Sequence, residues 1–151
     1  MGIFVLAFFF VLLTVSYQDM KDMEIRDGCH LAVAVLAVIE ISAGMGPGIL
    51  SRLGGALCVS VPMLALTLLI PGAFGGGDIK LMAAAGLFLG WKNTVVSAVL
   101  AVFTAGTYAL YLLLARKAER GQRFPFGPFL CAGMAVAVLW GNKIWKIWQV
   151  L

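Results

Sequence analysis

The sequence predicts an all-α integral membrane protein: a six-transmembrane-helix bundle with a short fourth helix. Three observations predict it. Of 151 residues, 62% are hydrophobic and only 12% are charged, against roughly 45–50% and about 25% in a soluble domain. The mean hydropathy is +1.02. Apolar runs alternate with short polar segments rich in glycine and proline. A chain of this size has too little interior to hide that much apolar surface, so the excess must face lipid. The expectation is one membrane domain over residues 1–151, with no separate soluble domain. The net charge of +4 does not point to nucleic acid, because the basic residues form no stripe. They cluster where membrane borders are expected.

The elements follow in order. The opening run "MGIFVLAFFFVLLTVSY" lacks the basic n-region and the small-residue cleavage site of a secretory signal. It reads as a retained first helix over residues 2–17. The polar segment "QDMKDMEIRDG" separates it from "CHLAVAVLAVIEISAG", a second helix that "GMGPG" closes. The third spans residues 49–70 and is stopped by "PG". The fourth, residues 79–90, covers only about 18 Å, short of the ~30 Å hydrocarbon thickness. It either continues past Trp91 or begins inside the membrane. A fifth helix covers 93–115. The basic loop "RKAERGQRFPFGP" leads to a sixth over 127–141, and the tail "NKIWKIWQVL" interleaves tryptophan with lysine as at a membrane interface.

Charge then suggests orientation. With the N-terminus outside and six crossings, the inside regions hold Lys21, Arg26, Lys80, Arg116, Lys117, Arg120 and Arg123, and the outside regions hold Arg52, Lys92, Lys143 and Lys146. Seven against four places both termini outside and the loop after the fifth helix in the cytoplasm. Three cysteines, Cys29, Cys58 and Cys131, form no CxxC pair and read as small buried hydrophobes. A structural zinc site is not expected. The single histidine, His30, and the acid Glu40 are expected at the interfaces.

The same orientation brings carboxylates together. The first loop, with Asp19, Asp22, Glu24 and Asp27, falls on the side where "GGGD" places Asp78. Two neighbouring carboxylates do not both ionise cheaply, so such a pair shares a proton. It can hold a water: one carboxylate takes the proton as the water attacks a peptide carbonyl, and the other donates to the carbonyl oxygen. This is aspartic-protease chemistry, needing no metal or cofactor. Gly75 and Gly77 permit positive φ and close approach of another backbone. Locally, a helix stop followed by an N-capping aspartate would look the same.

The motif "GGGDIKLMAAAGLFLG" resembles the GxGD signature of the type IV prepilin peptidases, a family of membrane aspartic proteases. Gly75, Gly77, Asp78 and Lys80 match it. The first loop is similar to the family's Asp, five residues, aliphatic, often proline, then Asp or Asn: here Asp19, Ile25, Arg26 and Asp27, with Arg26 in the proline's place. "FPFGPFLCAGM" resembles the start of the family's last helix. The resemblance implies a catalytic pair of Asp19 and Asp78, an active-site loop supported by Gly75, Gly77 and Lys80, and a pilin-like precursor cut on the cytoplasmic side just before its apolar helix. Lys80 would steer or tune the aspartates, or else snorkel to headgroups. Asp22 is the rival to Asp19, one helical turn away, and Asp22 and Asp27 read as solvated loop carboxylates. Longer family members carry an N-terminal cysteine-rich region linked to methylation. This sequence has no such pairs and resembles the short, peptidase-only forms. Two other classes fit membrane acids in a bundle: a proton-coupled transporter or channel subunit, and a non-catalytic membrane protein of pilus or secretion assembly.

Overall fold

The computed structural model describes residues 2–115 and 125–150, and all regular structure among them is helical. Helix α1, Gly2–Asp22, has no internal glycine or proline to break it. One stripe of it is buried, Phe8, Leu12, Val15 and Asp19, at the three- and four-residue spacing of a helix face. The opposite faces stay apolar and exposed, as at Phe10 and Leu13, which suits contact with lipid. Asp19, expected in a loop, thus lies in the last turn of a helix longer than the apolar run. Helix α2, Asp27–Ser42, buries Cys29, His30, Val33, Ala37 and Glu40. It gives way to a turn in which Gly44 and Gly46 take positive φ.

Helix α3, Ile49–Leu69, is interrupted at Val59, which separates Ile49–Cys58 from Ser60–Leu69. Pro62 explains the break. It has no N–H to offer the carbonyl four residues back, and its ring crowds that carbonyl. The "PG" stop is real: the helix ends at Leu69 and Gly72 has φ 87°.

Helix α4, Gly76–Leu114, replaces the expected fourth and fifth helices with one element of 39 residues, broken at Gly90 (φ 73°, ψ 164°). The residues "WKN" are helical and form no loop. Straight, it would reach about 58 Å. It is not straight, because Asp78 and Ala105 line the same cavity, and 27 helical residues would separate them by about 40 Å. The two arms therefore fold back on each other at Gly90. Helix α5, Gly127–Trp148, starts with a proline in its first turn, where a missing N–H costs nothing. It runs seven residues past the expected end and takes the tryptophan-lysine tail into the helix. Helices α1, α3, α4 and α5 are long and apolar enough to cross a membrane. Helix α2 has 16 residues.

Small residues let the helices meet at backbone distance. A Cβ on Gly86 would run into the Gly55 backbone, and one on Gly133 would lie 3.2 Å from Ala101 N. Close backbone approach of this kind drives helix packing in lipid, where burial of apolar surface alone supplies little. Phe8 stacks on Phe88 at 4.5 Å between ring centroids. This sets α1 antiparallel to the first arm of α4 and levels Asp19 with Asp78.

The opposite end is held by a feature the sequence did not announce. Glu40, expected at an interface, lies near the end of α2 but is turned into the protein: it is 4% exposed and pairs with Arg52, 1% exposed, at 3.1 Å. Arg52 also donates to the carbonyls of Met45 (2.7 Å), Pro47 (2.8 Å) and Leu87 (2.7 Å). Leu87 lies in the turn that the Gly90 break leaves short of helical N–H donors. One guanidinium thus ties the α2–α3 turn to the bend of α4.

Candidate active site

Asp19 projects from the last turn of α1 and is 6% exposed. The backbone N–H of Gly127 donates to its Oδ2 at 2.7 Å. A side chain at Gly127 would begin 2.7 Å from that same oxygen, so the start of α5 must be glycine for Asp19 to sit there. Asp78 is the third residue of α4, whose N-cap is Gly75. It is not the N-cap itself. The first turn is where a carboxylate meets the positive end of the helix dipole. It is 7% exposed; its Oδ1 is buried and has no hydrogen-bond partner.

The two aspartates share their surroundings. Both line a cavity of about 820 Å³ that runs along the second arm of α4 and the starts of α4 and α5. Both also line a smaller one of about 390 Å³ under the α1–α2 connection and the glycine run. Asp22, the rival of Asp19, touches the larger cavity but is exposed.

The glycines work differently from expectation. Neither Gly75 (φ −69°) nor Gly77 has positive φ; in this region Gly72 does. Close approach is what Gly77 permits, and the approaching group is Ile25, whose Cβ would lie 3.1 Å from an added methyl. Ile25 is buried and belongs to the aliphatic position of the first-loop pattern. At Gly75 a methyl would stand 3.2 Å from Asp78 Oδ2, whereas at Gly76 it would meet nothing within 4 Å.

His30, expected at an interface, is buried, and its Nε2–H donates to the Gly77 carbonyl at 2.9 Å. Lys80 makes its ion pair with Asp27 at 2.8 Å. That contact holds the Asp27 carboxyl below the usual carboxylate range, by a hydrogen bond first and by charge second. Asp27 is thus exposed yet partnered, and Lys80 lines the smaller cavity while bonding across to α2. Cys29 and Cys131 are buried as expected; Cys58 is exposed. The basic residues Arg116, Lys117, Arg120 and Arg123 lie outside the described residues.

A buried pair of acids from α1 and the glycine-led start of α4 can be set beside known proteins. The profile of the type IV leader peptidase family matches residues 6–110. The chain belongs to the type IV leader peptidase family. Among named relatives, a prepilin leader peptidase/N-methyltransferase of Aeromonas salmonicida (strain A449) is 27% identical over 148 residues, covering 93% of this chain and 51% of the relative. That of Stutzerimonas stutzeri is 30% identical over 138 residues, with 88% and 48% covered. That of Bacillus subtilis (strain 168) is 34% identical over 97 residues, with 64% and 38% covered. The chain spans about half the length of the first two relatives. No solved structure matches it.

In this member of the type IV leader peptidase family, two neighbours of the candidate pair escaped sequence reasoning. His30 carried no periodic or motif signal. The Gly127 N–H was foreshadowed only by "FPFGPFL", whose spacing says nothing about a contact 108 residues away.

Proposed function

We propose that the chain is a membrane-embedded aspartic endopeptidase that removes the leader of type IV prepilin-like precursors at the cytoplasmic face of the inner membrane. The observation that carries this is the meeting of Asp19 and Asp78, 59 residues apart in sequence, as buried acids on the same two cavities. Family membership supports the same reading.

One carboxylate takes a proton from a water as its oxygen attacks the scissile carbonyl carbon. The other carboxyl, protonated, donates to the carbonyl oxygen, giving a neutral diol. Collapse of the diol re-forms the carbonyl, breaks the C–N bond and returns a proton to the leaving amine. The Gly127 N–H holds Asp19 in one rotamer throughout. The first turn of α4 holds Asp78. Gly75 and Gly77 are the positions where a side chain would press on Asp78 or lift Ile25. Lys80 supports the site through Asp27.

In this reading the two arms of α4 act as separate passes, so that α1, α2, α3, both arms and α5 make six. The α1–α2 turn and the start of α5 share one end, and the charge count assigns that end to the cytoplasm.

The test is cleavage of a prepilin-type precursor by the chain reconstituted in liposomes. Asp19→Asn and Asp78→Asn should each abolish cleavage at normal membrane abundance, because Asn keeps size and polarity but cannot cycle a proton. Asp22→Asn should keep most of it. Normal cleavage by Asp19→Asn would remove the proposed pair.

A further inference from the structure

The aspartates stand where two cavities of unlike character meet. The larger has a wall from the second arm of α4: Val102, Ala105, Gly106 and Ala109. Val102 is 58% exposed on the apolar outer surface of the bundle, so this cavity opens sideways toward the bilayer, though Asp22 and Glu24 close its α1 end. The smaller has a wall from the α1–α2 connection, with Glu24, Arg26, Asp27 and Lys80, all exposed. Only the region around Asp19 and Asp78, with Met23, Glu24 and Gly75, belongs to both.

We propose that the two cavities are the two halves of one polypeptide site. The apolar segment on one side of the scissile bond lies along Val102–Ala109, and the polar segment on the other side lies under the α1–α2 connection. This rests on the peptidase reading and adds the path of the chain through the site. The physical reason is solvation. An apolar helix held in lipid reaches the larger cavity without crossing a polar surface. A polar leader is expensive to place against hydrocarbon, and it finds side chains of both signs in the smaller cavity. The bond between them falls beside Asp19 and Asp78, which line both cavities.

Gly106 is the specificity-determining position of the larger cavity. An added Cβ there meets nothing within 4 Å, so a larger side chain fills the cavity without disturbing helix packing. The full chain in liposomes, carrying a photo-crosslinking phenylalanine at position 106 or at position 26, is irradiated with a synthetic precursor. That precursor joins a polar leader to an apolar segment. Mass spectrometry then locates the crosslinks on either side of the cleavage point. Position 106 should label the apolar side and position 26 the leader. Gly106→Leu should raise KM about fivefold or more with little change in kcat, and a precursor with smaller side chains next to the cleavage point should recover most of the loss. Crosslinks to the same side from both positions, exchanged sides, or none from position 106 would overturn the path while leaving cleavage by the unaltered chain intact. Sorted crosslinks with no cleavage by the unaltered chain would support the path and remove the peptidase reading.

Discussion

Gly77 and Gly76 are neighbours with opposite physical situations. A methyl at Gly77 lands 3.1 Å from Ile25 Cβ; at Gly76 it lands in open space. Ile25 is branched, buried and joined to the turn that follows Asp19, so it yields poorly. Gly77→Ala should therefore lower the cleavage rate several-fold at matched membrane abundance, and Gly76→Ala should lower it less. Equal rates for the two would mean that Ile25 moves freely and that the close approach has no role. His30 acts on the same spot from the other side through its bond to the Gly77 carbonyl. That bond adds to the intrahelical one the carbonyl accepts as part of the first turn of α4, and a net hydrogen bond is worth about 0.5–1.5 kcal/mol. His30→Ala should impair cleavage, and His30→Gln, which still carries an N–H, should recover part of it. Asp27 gives the pH counterpart. Its carboxyl is held low by Lys80, so the pair's contribution is complete above the ordinary carboxylate range and fades as pH falls through the lowered value. Asp27→Asn should then lower thermal stability in detergent slightly at neutral pH, and that difference from the unaltered chain should vanish only as pH falls below the ordinary carboxylate value.

At the scale of elements, the bend in α4 decides whether an acid at its start can share a cavity with residues near its end. Gly90 adopts φ 73°, with Pro47 Cβ 3.0 Å and Ser51 Oγ 2.8 Å from where a side chain would begin. Gly90→Ala should lose about 1 kcal/mol or more from the backbone alone, with crowding added, and should reduce membrane abundance or thermal stability in detergent. A wild-type melting curve would show that another residue sets the bend. Arg52 braces the same place. Truncating one partner of a buried pair leaves an uncompensated charge, about 3–5 kcal/mol. Arg52→Ala should therefore be poorly folded, and the double change Arg52→Met with Glu40→Met should be better tolerated than Arg52→Ala alone.

For the whole molecule, the candidate site forms because α1, both arms of α4 and α5 bring their ends to one level. Phe8 on Phe88 sets the first pair, and Gly127 against Asp19 sets the last. Cysteine labelling from either side of the membrane should find residues 20–24 and 72–74 accessible from the same side, and Lys143→Cys and Lys146→Cys from the other. Labelling of all of them from one side would break the six-pass arrangement and the proposed orientation with it.

What the residues alone determined follows from local chemistry. Apolar runs longer than any soluble core requires made this a helical membrane protein. The glycine and proline stops set most helix ends. The GxGD pattern, the spaced aspartate before it and "FPFGPFL" after it pointed to Asp78, Asp19 and their family. What only the tertiary structure decided depends on contacts distant in sequence. No periodicity distinguishes Gly90, where one helix doubles back without a loop, from the helical glycines at positions 86 and 106. Nothing local revealed that Glu40 and Arg52, each costly to bury, are buried as partners, nor that His30 reaches Gly77. Asp19 was separated from Asp22 only when the start of α5 placed a backbone N–H and a missing Cβ against one carboxylate and left the other exposed. A side chain's partner across the bundle is set by how helices pack in three dimensions, and that packing is a property of all the helices together.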